Sequence, residues 1–382
     1  MRSIKLTTVT LLALIFLLPI SFYISGSAGF NLAGVEKKTS NVQFTFKNLY
    51  TQKFQDFFEP NFQRNFGVLN YLIRTDNQLD YFAFKTASSN PKSSVILGRN
   101  NHLIERPYIR NANHFGRATE KKLIATAEKL KNLQRELAKS GVALVFVISP
   151  NKPSYYPEAL PERYKVAGAA DRLDPRTFMI TKLKERSVNF IDGFSFLKEM
   201  ENSLNLPMFA TTGTHWNELG GCLVASEIMR KAEQVIGKPQ RQINCHVEGL
   251  RGRPAYQDMD LLRIANFWFP SLLYAPAPNV DPEIAGVKNA DRPKLLLIGS
   301  SFCWEILRQF ERVNATSDND FLYYFKRLVK SSQDKGRPID KENFKVRGAI
   351  AGKDLVIIEI NQAFLIRAGF GFAEAVLSNS LS

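Results

Sequence analysis

Three polar groups stand where this sequence turns abruptly out of apolar runs, and their types suit acyl-transfer chemistry. Gly299-Ser300-Ser301-Phe302 follows the run Lys294-Leu-Leu-Leu-Ile298 and leads into a helical pattern through Trp304, Leu307 and Phe310. A strand-to-helix turn exposes a hydroxyl at a helix N-terminus, where free N–H groups and the dipole stabilise developing negative charge. The G-x-S-x-G nucleophile pattern is absent, because Cys303 occupies its last glycine position; a serine here also serves simply as a helix N-cap. His215, one of only four histidines, sits in Thr211-Thr212-Gly213-Thr214-His215-Trp216-Asn217. Asn217 suits the cap of the next helix, which leaves the imidazole on a loop, placed to act as general base toward a serine. A lone histidine is more often a surface or satisfied core residue, but Trp216 beside it suits the wall of a pocket. Asn361 ends the run Asp354-Leu-Val-Ile-Ile-Glu-Ile-Asn361, where its amide either donates to an oxyanion or closes a turn.

The elements that must hold these groups are legible. Leu123, Ala127, Leu130, Leu133 and Leu137 mark one face of a helix that Gly141 should stop. The run Val142–Ile148 after it suits a strand buried on both faces, and ends in Ser149-Pro150-Asn151. A helix near 176–186 leads to Val188–Ile191 and Asp192-Gly193; another, near 219–236, precedes an irregular Arg- and Pro-rich stretch over 238–293. Within that stretch Arg251, Arg253 and Tyr256 either line a cleft or form ordinary loop. Strands at Lys294–Ile298, Phe321–Phe325 and Leu355–Ile358 complete the set. The expectation is an α/β, doubly wound, mainly parallel five-stranded sheet flanked by helices, with ligands at the carboxyl ends of its strands. Residues 30–117 read as an N-terminal extension, with a short helix carrying Phe54, Phe57 and Phe58 and a hairpin over Val95–Ile104. The α/β domain then runs over 118–382.

Composition narrows the setting. The chain has 382 residues, 45% hydrophobic and 23% charged, with a formal net charge of +15, which excludes a disordered chain and points to an anionic partner. Arg2 and Lys5 precede an apolar run from Leu6 to Ile24 of about 19 residues, close to a membrane span. Residues 1–29 therefore read as a signal anchor or signal peptide, placing the rest outside the cytoplasm. Export disfavours nucleic acid as the partner and allows one disulfide among Cys222, Cys245 and Cys303, leaving one thiol over. No cysteine pair has zinc spacing, so no metal is expected. The basic stretch Lys326, Arg327, Lys330, Lys335, Arg337, Lys341, Lys345 and Arg347 tracks an anionic glycan or, with Asp334, Asp340 and Glu342 interspersed, forms a solvated loop.

Taken together, His215-Trp216, Gly299-Ser300-Ser301-Phe302 and the Glu359-Ile360-Asn361 strand end resemble the SGNH-hydrolase-like O-acetyltransferases of the alginate AlgJ/AlgX type. The histidine precedes the serine, as in this circularly permuted branch. The Val95–Ile104 hairpin and Ser149-Pro150-Asn151-Lys152 with Tyr156-Pro157 are similar to segments of the same family. The resemblance implies Ser301 as nucleophile, His215 as base, and an oxyanion held by the Ser301 N–H and Asn361, with no cofactor. It also implies a membrane-bound O-acyltransferase as acetyl donor, a polysaccharide acceptor, and a periplasmic protein held at the inner membrane by its N-terminal helix, or secreted if the signal is cleaved. Two family positions differ: Ser300 stands at the Asp of the Gly-Asp-Ser motif, and Gly213 at the Asp of Asp-Thr-His-Trp. Three readings follow for the triad carboxylate. Asp192 or Glu359 orients His215; or a backbone carbonyl serves; or activity is lost and the protein binds glycan or acts as a scaffold. With the site intact, water in place of a sugar hydroxyl would make it a carbohydrate esterase.

Overall fold

The computed structural model describes residues 8–10, 13, 17, 32–34, 42–58, 67–286 and 290–378. The expected signal anchor lies largely outside them; among the described residues no helix is long and apolar enough to cross a membrane. The chain divides into two compact units, Met1–Leu97 with Leu261–Leu272, and Gly98–Asp260 with Leu273–Ser382.

In the smaller unit the helix Gly67–Phe84 buries polar side chains and exposes apolar ones. Asn77 donates to the Ala265 carbonyl at 2.9 Å and Gln78 accepts from the Phe269 N–H at 3.0 Å, while Leu72, Leu79 and Phe82 are exposed. Upstream, the phenylalanines pack on one another, Phe54 stacking on Phe58 at 5.7 Å and meeting Phe44 edge-on at 4.9 Å. Strand Val95–Leu97 closes this unit, and Leu103–Glu105 opens the larger one beyond a turn at Arg99–Asn101.

The larger unit is built on one sheet of seven strands. In chain order these are β1 (Ala143–Ser149), β2 (Phe190–Asp192), β3 (Lys294–Gly299), β4 (Asp318–Tyr323), β5 (Arg327–Val329), β6 (Arg337–Pro338) and β7 (Leu355–Asn361). Their spatial order is β6-β5-β4-β3-β7-β1-β2, with β4, β3, β7, β1 and β2 parallel and β5 and β6 antiparallel. The five parallel strands lie at the five apolar runs, but the sheet is mixed and larger than the expected five strands. The two extra strands are three and two residues long and carry Arg327 and Arg337, too short and too charged to show a period. β5 doubles back on β4 through Tyr324 and Phe325, both at left-handed φ.

Helices α1 (Glu120–Ala138), α2 (Pro175–Glu185), α3 (Gly193–Leu204), α4 (Glu218–Ile236) and α5 (Cys303–Arg312) surround the sheet. Leu123, Leu130 and Leu137 of α1 and Met179 and Leu183 of α2 join Phe146, Ile148, Val356 and Ile358 in one core cluster. The alternate residues Val145, Val147, Leu295, Leu297 and Ile357 are buried as well, as strands covered on both faces require. The stretch expected to be irregular over 238–293 contains an antiparallel ribbon, Gln242–Arg251 against Ala277–Ala285, bulged at Val247/Gly249. Its first strand turns Ile243, Cys245 and Val247 inward and leaves Asn244, His246 and Glu248 exposed. A Cys222–Cys245 disulfide fastens the ribbon to α4, and Cys303 is the buried free thiol.

Candidate active site

The parallel strands end on one rim, and Ser301 stands on the turn between β3 and α5. Gly299 is required there: a Cβ would collide with Cys303 Sγ and stand 3.0 Å from Glu359 Cβ. Beneath the turn the Glu359 carboxylate, fully buried on β7, accepts from the Ser149 hydroxyl, the Ser300 N–H at 2.7 Å and the Ser300 hydroxyl at 2.8 Å. Burial pushes the Glu359 carboxyl up, against the pull of these hydrogen bonds. Glu359 thus braces the Ser300-Ser301 turn and does not orient the imidazole.

Asn217 caps α4 through the Gly220 N–H at 2.9 Å, and Trp216 is buried against Phe302 in the core. The loop before the helix brings His215 Nε2 to 2.7 Å from Ser301 Oγ. Its Nδ1 lies 2.7 Å from Asp260 Oδ2, while Asp260 Oδ1 accepts from the Thr214 N–H at 2.9 Å. With Nδ1–H held by the carboxylate, Nε2 is left as the acceptor facing the serine. The arrangement is a serine–imidazole–carboxylate relay. Gly213 is needed beside it, since a Cβ there would stand 2.9 Å from the Asp258 carbonyl oxygen and 3.3 Å from Asp260 Oδ1.

Asp192 is not part of this relay, contrary to expectation. Its carboxylate is bound by Arg176 at 2.7 Å and Ser195 at 2.6 Å at the start of α3. Asn361 is likewise engaged elsewhere: it donates to the Pro150 carbonyl at 3.1 Å, accepts from the Ala363 N–H at 3.0 Å and is buried. The expected oxyanion donor is therefore a turn-closing residue. Arg251, of the candidate cleft residues, pairs with Glu218, and Tyr256 is exposed.

Sequence reasoning missed four further groups. Asp260 belongs to Asp258-Met259-Asp260, and no spacing rule connects it with residue 215. Lys152 is buried, and its ammonium donates to the carbonyls of Leu103 at 2.9 Å, Thr211 at 2.8 Å and Gly213 at 2.6 Å, fixing the histidine loop. Burial pulls its pKa down to about 7 although Asp260 and Asp258 oppose the shift. Glu105 accepts from the Thr214 hydroxyl at 3.0 Å, its carboxyl raised by burial. Tyr324 places its hydroxyl 3.5 Å from Ser301 Oγ and lines a cavity of about 550 Å³ together with Lys326, Lys341, Phe364, Arg367 and Phe370. No group of three or more metal-ligating side chains occurs among the described residues.

The family described as "SGNH hydrolase-like domain, acetyltransferase AlgX" matches residues 96–313, more than half of the sequence. The chain belongs to this family. As an AlgX-family member it is similar to the O-acetyltransferase domain of Pseudomonas putida AlgJ, at 18% identity over 75% of this chain and 99% of that one, with a TM-score of 0.47. Pseudomonas aeruginosa AlgX matches at 16% identity over 74% of this chain and 67% of its own, with a TM-score of 0.42. Bacillus cereus PatB1, solved with a sulfonyl adduct, matches at 13% identity over 73% and 98%, with a TM-score of 0.43. No curated protein matches the sequence. The AlgX-family match spans Lys152, His215, Asp260 and Ser301, and leaves the β4 to β7 half of the sheet outside it.

Proposed function

We propose that this protein is an extracytoplasmic O-acetyltransferase that modifies a secreted or cell-surface polysaccharide through an acetyl-serine intermediate. The observation that carries the reading is His215 standing 2.7 Å from both Ser301 Oγ and Asp260 Oδ2. Membership of an acetyltransferase family supplies the acyl group. Ser301 Oγ attacks the acetyl carbonyl while His215 Nε2 takes its proton; Asp260 holds the tautomer and stabilises the imidazolium. The Ser301 N–H, near the start of α5, supports the tetrahedral oxyanion. The leaving group departs with the His215 proton. A sugar hydroxyl then attacks the acetyl-serine, giving its proton to His215, which returns it to Ser301.

Asp260 supplies the carboxylate that Gly213 lacks, which favours catalysis over a non-catalytic scaffold. The cations Lys326, Lys341 and Arg367 around the adjoining cavity suit an acidic glycan as acceptor. A membrane-bound O-acyltransferase is the proposed donor, with the N-terminal segment holding the protein beside it at the periplasmic face of the inner membrane at high effective concentration. No cofactor enters this scheme. The test is intact-mass detection of an acetyl adduct after treatment with 4-nitrophenyl acetate. An adduct of one acetyl group, absent from Ser301→Ala and His215→Ala, is expected. A folded protein with no adduct and no ester turnover would remove the reading, and release of free acetate unaffected by any glycan would make it an esterase.

A further inference from the structure

We propose that Tyr324 is a catalytic residue of this site, its phenol hydroxyl donating a hydrogen bond to the oxyanion of the acetyl group under transfer. The role rests on the acetyl-transfer reading above and adds to it the side-chain donor that Asn361 does not provide. When Ser301 Oγ bonds to the carbonyl carbon, the C=O π pair moves onto oxygen, and that oxygen becomes an anion beside the Ser301 N–H. One backbone donor leaves its remaining lone pairs unmet, and a second, pre-positioned donor stabilises it further.

Tyr324 stands at that place. Its hydroxyl is 3.5 Å from Ser301 Oγ, on the residue whose own N–H is the backbone donor. A carbonyl oxygen drawn to the same N–H arrives alongside the phenol. Burial raises the phenol's pKa, so the group keeps its proton in the neutral range and remains a donor. The ring is clamped between Tyr323, at 4.6 Å, and the edge of Phe370, at 5.0 Å.

The backbone points the same way. Tyr324 and Phe325 have φ of 51° and 49°, left-handed values that bulky residues rarely adopt and that cluster at functional sites. A turn needed only for doubling back would favour glycine or asparagine here. The Tyr324 N–H donates to the Gly299 carbonyl at 2.8 Å, coupling the tyrosine turn to the strand end from which the nucleophile turn starts. Tyr324 also lines the 550 Å³ cavity, so an acyl group on Ser301 and an acceptor in the cavity meet at the phenol. The phenol keeps its proton throughout. Collapse of the intermediate re-forms C=O and expels the leaving group, which takes the proton held by His215.

The experiment compares the full chain with Tyr324→Phe and Ser301→Ala, using 4-nitrophenyl acetate and counting sites by the acetyl adduct so that unfolded protein is not read as slow protein. The expected result is a kcat on the order of 10²–10³-fold lower in Tyr324→Phe, with KM nearly unchanged. Inhibition by a methyl trifluoromethyl ketone, whose adduct on serine carries the same oxyanion, should weaken by a similar factor. Wild-type-like kcat and inhibition in Tyr324→Phe would overturn the role alone. Absence of Ser301-dependent turnover in the wild type would overturn the acetyl-transfer reading and this role with it.

Discussion

The end of β2 and the turn at residues 258–260 each present an aspartate, and the two have opposite surroundings. Asp192 ends a partly buried strand, as a catalytic carboxylate in an open α/β sheet commonly does, yet a guanidinium and a hydroxyl hold it. Asp260 stands where a 3-10 turn, Tyr256–Met259, gives way to the short helix Asp260–Ala265, and its two oxygens meet the imidazole and the backbone N–H of the same histidine loop. Position at a strand end nominates a carboxylate, but the partner already bound to it decides whether it is available. Arg176 gives Asp192 a structural role. The bare Gly213 leaves room for this arrangement, since a Cβ there would stand 3.3 Å from Asp260 Oδ1.

The largest expected effect separates these two aspartates. Asp260→Asn should lower kcat for ester turnover by on the order of 10³–10⁴, since the amide favours the wrong imidazole tautomer. Asp192→Asn, assayed in parallel, should stay within about twofold in kcat and lose about 1 kcal/mol of stability in urea titration. Equal losses of activity in the two variants would break the contrast. A smaller effect sharpens it. Gly213→Asp placed in an Asp260→Ala background should not restore turnover, and it should lower the melting temperature, because its Cβ meets the Asp258 carbonyl oxygen at 2.9 Å. Restored activity would mean that the turn yields to an aspartate at residue 213.

The smallest effect concerns pH. Asp258 is pushed from 3.8 up to about 8, chiefly by burial and then by Glu305, Glu218 and Asp260, with Arg251 opposing. The folded state therefore holds a proton that the unfolded chain releases. The stability this group contributes is fully present below 3.8 and is lost as pH rises toward about 8. Thermal melts of wild type and Asp258→Asn at several pH values between 5 and 8 should show the wild type losing stability relative to the variant as pH rises. Parallel curves would show that Asp258 ionises freely in the folded protein.

Much of the strand-end rim is legible in the sequence alone. The strands β1, β3 and β7 announce themselves as apolar runs, Asn217 announces the cap that leaves His215 on a loop, and Gly299-Ser300-Ser301 announces the turn. Each of these is a local rule of period, capping or steric size, and local rules act between residues a few positions apart. The antiparallel strands β5 and β6 escaped because, at three and two residues, they are too short to show an alternation.

What the sequence determined by itself is the parallel heart of the sheet, the serine at its rim and the histidine preceding it, since burial on both strand faces and helix capping are written in adjacent residues. Tertiary structure alone decided which acid meets the imidazole and which phenol stands beside the serine. Asp260 lies 45 positions beyond His215, and Tyr324 is 23 beyond Ser301. Neither interval corresponds to a helical or strand period, so only the folded path of the backbone brings charge and hydroxyl to the same few ångströms.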